Sequence, residues 1–491
     1  MRSHCSAPRF EQAKNLSLLA NDQLRSLRQE RPLVVIDRNT SVGRISYAGP
    51  ASIESARPTL ALGCYRSWNP AQPVNVLAAE DHTPDTPRPI RSWWHLVHEA
   101  ATQQINHNPH PPIITAWVAD QHNQALLGSQ GTFVGMPTRT NSIIENKSEL
   151  DRILTQAQVD TALIIPAQTY RDRLPDLARM RQDVGSDRLV IQTAHGAGGR
   201  GTVFIDDEAD LTRLPTQGPW RVSQFVRGWS SNTTVLSVPD GRGGVHIYID
   251  RPSHKAIGLP EVGIASAKSA GNDWSWTFPE EGVTALIEAI TRIGHWAWNE
   301  HKMSGMWGVD TIWTPDGQPQ INEINARRQG TTEVSGVNQH LSGQPPLSVA
   351  HLVSVLGGYP EWLPAPEEFN TTALRAVTTP GSWAPYYLKI RSRGPAKVSQ
   401  DFPGPGIYRL TRSKSLVWEK PGAHPAQANS DAGQVLLANT PAPGTLCQTG
   451  AELATVEGIT TGNASPFASP FELSDRGHVL LKAFLRHIQR Q

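Results

Sequence analysis

Short apolar runs separated by polar, proline-containing turns fill the first 140 residues. The run PLVVI at 32–36 has strand length, and the segments 59–63 and 74–78 repeat its texture on either side of Pro-rich loops such as 83–89 and 108–112. A short polar helix is expected over 1–30, ahead of the first strand. This part therefore reads as a mixed α/β domain. From Asn141 the pattern changes: a polar helical stretch at 147–157, a strand at 161–165, a helix near 174–182, then strands alternating with glycine-containing turns. A helix over 282–301 precedes a hairpin over 307–328. Beyond residue 345 the chain is rich in Pro and Gly, with short strands near 386–390, 406–410 and 435–438 and a closing amphipathic helix at 478–489. No internal repeat is visible. The chain has 491 residues, too many for one core at about 100–200 residues per domain, so the texture changes divide it into 1–140, 141–345 and 346–491.

With 38% hydrophobic and 18% charged residues the chain can bury ordinary cores, and it is not a disordered one. Lys+Arg 45 against Asp+Glu 44 leaves a net charge of +1, so no overall field draws the protein to nucleic acid or anionic lipid. Any polyanion has to be bound locally. The three cysteines, Cys5, Cys64 and Cys447, are far apart and lack CxxC spacing, which fits a reducing compartment. No stretch has the length of a membrane span or the apolar core of a secretory signal, and a cytoplasmic protein is expected. The oligomeric state is not readable.

Two segments carry chemistry. The apolar strand at 188–195 runs into GAGGRG at 196–201, which formally matches both GxGxxG and half of a P-loop. A P-loop continues with Lys-Ser/Thr, but Thr202-Val203 follows; a dinucleotide fingerprint continues with a helix, but TVFI at 202–205 is β-branched and stops at Asp206-Asp207. The glycines therefore join two strands, where they serve either as a plain flexible hairpin or as a lid whose backbone N–H groups approach phosphate, with Arg200 adding charge. In the second segment, Asp316-Gly317 is a pair favoured in a two-residue type I′ turn. Folding there sets Thr314 opposite Pro319, Ile312 opposite Ile321 and Asp310 opposite Glu323. Alternation then puts Glu323, Asn325 and Arg327 on the face that Asp310 shares. Opposed carboxylates destabilise a sheet unless a cation lies between them. Oxygen ligands of this kind suit Mg²⁺, with nucleotide phosphates and water completing its shell, and Arg327 would stand beside a transferring phosphate. The alternative is an edge hairpin with solvated charges.

These residues resemble the ATP-grasp superfamily of carboxylate–amine ligases. GVDTIW with QPQINEINARRQGTT resembles its metal and phosphate signature, and VIQTAHGAGGRGTVFI its glycine-rich lid. The resemblance covers about 141–340. It implies an α/β (α+β) architecture, with a preceding N-terminal α/β domain and a small β-rich C-terminal domain. It also implies ATP and Mg²⁺: Asp310, Glu323 and Asn325 on the metal, Arg327 on the reacting phosphate, and Lys147, from IENKSELDRIL, on the nucleotide phosphates. The lid would be His195, Gly196, Gly198, Gly199, Arg200 and Gly201, and the adenine hinge Gln224, Phe225 and Val226. At Gln192 many members carry a second phosphate-contacting lysine, and Gln brings a donor without charge. The overall layout is similar to peptide ligases of bacterial natural-product pathways, so a carboxylate and an amine, small molecules or peptides, are the expected substrates. A biotin-type carboxylase component and a nucleotide-binding module without turnover are the alternatives. The C-terminal lysines Lys389, Lys397, Lys414, Lys420 and Lys482 have no Met-Lys-Met setting for biotin. Trp229, Trp274, Trp276 and Trp307 are candidates for an aromatic pocket or for core, and Arg328 for a carboxylate contact or a surface position.

Overall fold

The computed structural model describes residues 9–36, 53–66, 74–82, 94–116, 121–128, 130–196, 199, 201–214, 217–265 and 267–490. Cys5 and the loop 83–89 lie outside them. In the N-terminal part β1 (Leu33–Ile36), β2 (Leu60–Gly63), β3 (Asn75–Ala78), β4 (Ile113–Ala116) and β5 (Thr132–Val134) form an all-parallel sheet in the order β3-β2-β1-β4-β5. β1, β2 and β4 are buried at every residue, which is why they read as unbroken apolar runs. One face packs on Val97, Ala101 and Ile105 of the helix Trp94–Asn106, the other on Ala20 and Leu24 of the helix Phe10–Arg28. The strand order reverses between β1 and β4, which opens a crevice at their carboxyl ends.

A small lobe follows. β6 (Ala167–Tyr170), β7 (Leu189–Thr193), β8 (Thr202–Ile205) and β9 (Trp220–Gln224) form an antiparallel sheet in the order β6-β9-β7-β8. The helix Leu177–Val184 covers one face, packing Leu177, Met180 and Val184 on Leu189, Ile191, Trp220 and Val222. It starts where the Asp176 side chain accepts the Arg179 N–H at 2.8 Å. The strand expected at 161–165 is instead a 3-10 turn, Thr161–Leu163, because the Asp160 carboxylate accepts the Ala162 N–H at 2.9 Å and offers the backbone a local partner. Only Ile164 keeps a bridge, to Ile321. The helix expected at 147–157 is a 3-10 turn, Lys147–Glu149, leading into Leu150–Gln156.

The large lobe contains β10 (Trp229–Pro239), β11 (Val245–Ile249), β12 (Ser253–Ile257), β13 (Ser269–Asp273), β14 (Gly305–Trp313) and β15 (Pro319–Asn325). The helix Glu280–His301 presents Val283, Leu286, Ile290 and Ile293 to Trp307, Val309 and Trp313 on one face of this sheet. The C-terminal part adds β16 (Ala384–Arg391), β17 (Ala396–Val398), β18 (Gly406–Leu410), β19 (Leu416–Lys420), β20 (Gln434–Ala438), β21 (Leu446–Cys447) and β22 (Glu452–Thr460). β13 pairs with β16, so one eleven-stranded sheet runs β15-β14-β10-β12-β13-β16-β22-β20-β18-β19, with β11 beside β10. The closing helix begins earlier and ends earlier than expected, at Asp475–Phe484. Ser474 caps it by accepting the Gly477 N–H, and the chain then pairs Ile488–Arg490 with β17. Among the described residues no helix is long and apolar enough to cross a membrane.

Candidate functional site

The hairpin between β14 and β15 turns through Pro315, Asp316 and Gly317. Gly317 N–H donates to the Thr314 carbonyl at 2.9 Å and Thr314 N–H to the Gln318 carbonyl at 3.0 Å, with Gly317 at φ +86°. This is a three-residue loop with glycine in the left-handed region, one residue longer than the expected type I′ turn. Near the turn Trp313 therefore faces Pro319, and Thr311 faces Ile321, in place of the expected partners Thr314 and Ile312. Asn322 is then bulged out of the ladder. Beyond the bulge the expected alignment holds: Asp310 stands opposite Glu323, with Gly308 opposite Asn325 and Asn232 of β10 on the other side of Asp310.

Each carboxylate of this rung is met by an ammonium group. Lys147 Nζ lies 2.6 Å from Glu323 Oε1, and Lys255 Nζ lies 2.7 Å from Asp310 Oδ2. Asp310 Oδ1 accepts from the Asn232 amide, and Thr331 Oγ1 donates to Asn232 Oδ1 at 2.6 Å. Arg327 Nε pairs with Glu145 Oε1 at 2.9 Å and donates a second bond to Asn325 Oδ1 at 2.8 Å. Burial would lower the Lys255 pKa, but the Asp310 carboxylate outweighs it and holds the ammonium above its ordinary value. Burial pushes the Glu145 carboxyl up, against the pull of Arg327. Asp310, Asn325 and Arg327 are buried, so these charges act on one another with little screening from water.

The glycine run joins β7 to β8, whose ladder begins at Gln192 opposite Thr202, so it links two strands as expected. Lys147 reaches this end of the lobe twice: its N–H donates to the Ala194 carbonyl at 2.9 Å and its Nζ to the Gly196 carbonyl at 3.0 Å. At Gly199, φ +78°, a Cβ would lie 2.5 Å from the Ala267 carbonyl oxygen of the large lobe, an approach that only glycine permits. His195 is exposed. Gly198 and Arg200 lie outside the described residues. Gln224, Phe225 and Val226 are half-buried where the chain passes from β9 to β10, and the Arg188 guanidinium lies 3.9 Å over the Phe225 ring.

The structure thus gathers Lys147, Gly196, Asp310, Glu323, Asn325 and Arg327 into one cluster. Gln192 is buried in the small-lobe sheet beside Arg221, its register partner. Arg328 is not at the surface: it pairs with Glu333 at 2.5 Å and donates to Thr115 Oγ1 of β4 at 2.8 Å, tying the parallel sheet to the helix Thr332–Leu341. Trp274 and Trp307 are core residues, with the Trp307 indole N–H on Ser237 Oγ at 2.9 Å. Trp229 stacks on His254, which Trp276 and Phe278 also flank. Sequence reasoning missed Lys255, Glu145 and Arg221. The one signal for Lys255 is a lysine in the middle of the short strand SHKAI, where a charge needs a partner.

No family model matches the chain, and no curated protein matches it by sequence. Solved structures do match. The biotin carboxylase domain of the Hydrogenobacter thermophilus 2-oxoglutarate carboxylase, crystallised with MgADP and bicarbonate, gives a TM-score of 0.54 at 14% identity over 87% of this chain and 85% of that one. The Campylobacter jejuni biotin carboxylase gives 0.52 at 13% over 88% of each chain. The phosphoribosylamine–glycine ligase of Thermotoga maritima gives 0.50 at 12% over 93% and 97%. These are ATP-grasp enzymes, and the α/β fold of the present chain is the ATP-grasp fold.

Proposed function

We propose that this protein is an ATP- and Mg²⁺-dependent ligase that activates a carboxylate as an acyl phosphate and couples it to an amine. The observation that carries this reading is the Asp310–Glu323 rung with a lysine ammonium within 2.6–2.7 Å of each carboxylate. The donor set fits Mg²⁺: two carboxylates and the Asn325 amide are hard oxygen ligands, and the ammonium groups beside them mark where positive charge is wanted. Asp310, Glu323 and Asn325 would hold it, and when bound it neutralises phosphate charge.

The chain's own groups supply the rest. Lys147 exchanges Glu323 for the nucleotide phosphates, Arg327 exchanges Glu145 for the transferring group, and adenine lies at Gln224, Phe225 and Val226. The substrate carboxylate oxygen attacks the γ-phosphorus as the bond to the β-phosphate oxygen breaks and ADP departs. Amine nitrogen then attacks the acyl carbon, phosphate leaves, and the nitrogen gives up a proton. Such transfer depends on positioning and charge neutralisation more than on a protein nucleophile. The three-part layout, 1–140, 141–345 and 346–491, supports a peptide ligase of the natural-product type, with the last part adding strands to the sheet of the second. A panel of acids and amines scored by ADP release tests the reading: release should require one of each. The biotin carboxylases among the similar folds favour a second reading, in which ADP release would require bicarbonate and biotin instead.

A further inference from the structure

Residue 192 lies in β7 on the face turned away from the helix Leu177–Val184, because Leu189 and Ile191 fill the core beneath that helix and alternation sends Val190 and Gln192 to the other side. Directly across the ladder stands Arg221 of β9. Arg221 is fully buried, and its guanidinium is fixed: Nε lies 2.9 Å from Asp151 Oδ2 and one terminal nitrogen 2.8 Å from Asp151 Oδ1, in a two-pronged bond. The same terminal nitrogen reaches the Ile165 carbonyl at 3.4 Å. The other terminal nitrogen lies 3.4 Å from Gln192 Oε1. Asp151 belongs to the helix that begins just after Lys147, and Lys147 is anchored on Ala194 and Gly196, immediately beyond Gln192.

Arginine can only donate, so it determines which end of the Gln192 amide faces it. The oxygen turns to the guanidinium and the NH₂ end points away. Among the described residues this is the one hydrogen bond of the Gln192 side chain. We infer that Arg221 is a positioning residue that holds the Gln192 amide with its two N–H donors available to the nucleotide phosphates, and that its buried guanidinium bars a second cation from position 192. A lysine there would set an ammonium against a guanidinium already committed to Asp151, inside a sheet where like charges repel at short range. Glutamine accepts from the one and donates to the anion. The inference rests on the nucleotide reading above and adds a chain-specific device to it.

Calorimetric binding of MgADP to the full chain, with thermal unfolding of each variant, tests it. Gln192→Leu should stay folded, melting somewhat lower because the buried Arg221 terminal nitrogen loses its acceptor, and should bind MgADP roughly tenfold or more weakly, the loss of a hydrogen bond to a charged group. Gln192→Lys should bind more weakly than wild type and melt lower than Gln192→Leu. Combining it with Arg221→Gln should recover both properties, since the double variant again carries one cation and one amide on this rung. Unaltered MgADP affinity in Gln192→Leu, or a Gln192→Lys variant that binds MgADP at least as well as wild type without melting lower, would overturn the inference while leaving the nucleotide reading intact. A wild-type protein that does not bind MgADP would overturn both.

Discussion

Asp310 and Glu323 hold opposed positions in one rung, and each is held by a lysine from a different part of the chain. Removing one charge from this set should stop chemistry without undoing the fold, because the remaining polar groups keep their size and their hydrogen-bonding neighbours. Asp310→Asn and Glu323→Gln are each expected to abolish ATP consumption while circular dichroism stays native; wild-type turnover in either would show that the rung has another purpose. Lys147 bonds both Glu323 and the Gly196 carbonyl, which places its head between the carboxylate rung and the glycine run. Lys147→Ala should weaken ATP binding by about 1.5–3 kcal/mol, the worth of a hydrogen bond to a charged group, as read by calorimetry. Equal affinity would leave Lys147 as an anchor of the glycine run alone. That Asp310, Glu323, Asn325 and Arg327 stand close together was legible because they share one short hairpin. Lys255 and Arg221 were not, since only the sheet order brings β12 to Asp310 and β9 to Gln192.

At the scale of elements, the hairpin was read correctly at Asp310 for a reason the sequence does not display. Its loop is one residue longer than a type I′ turn, and the Asn322 bulge adds one residue back, so the two departures cancel beyond the bulge. β8 and β18 match their expected bounds because each is a compact β-rich run between turn residues. The segment 161–165 failed because the Asp160 cap competes with the ladder for its backbone. The glycine run between β7 and β8 bears more directly on the proposed reaction. Gly199 lets its backbone approach the Ala267 carbonyl across the cleft, and a side chain there would hold the two lobes apart. In the proposed reaction an acyl phosphate, which hydrolyses readily in open water, would need the glycine run to exclude water until the amine attacks. Gly199→Ala should therefore lower the amount of amide formed per ADP released, while an unchanged ratio would show that this approach is not needed for closure.

Across the whole molecule, the eleven-stranded sheet passes from the large lobe into the C-terminal strands without a gap, and the parallel domain is tied to the same strands. Tyr65 donates to the Glu452 carbonyl at 2.7 Å, and Glu80 accepts the Ala442 N–H at 2.8 Å. The sequence shows three textures but not this continuity, because texture carries no strand order. The joined core also buries imidazoles: burial pushes the pKa of His254 and His351 down to about 3 and of His340 down to about 4. Their contribution to stability is complete above the unfolded pKa of about 6.5 and is lost as pH falls toward the folded values, at up to about 1.4 kcal/mol per pH unit for each. Burial raises Asp250 to about 6, which acts in the opposite sense, its stabilisation being lost as pH rises through that value. Urea unfolding should therefore show lower stability at pH 5 than at pH 7, with a shallower pH dependence in His340→Gln; equal slopes would mean that His340 takes up its proton alike in the folded and unfolded chains. How the carboxylate is activated is read most directly with hydroxylamine in place of the amine. With ATP, Mg²⁺ and a productive acid, a hydroxamate should form in step with ADP and phosphate, whereas release of AMP and pyrophosphate would mean adenylation instead of phosphoryl transfer.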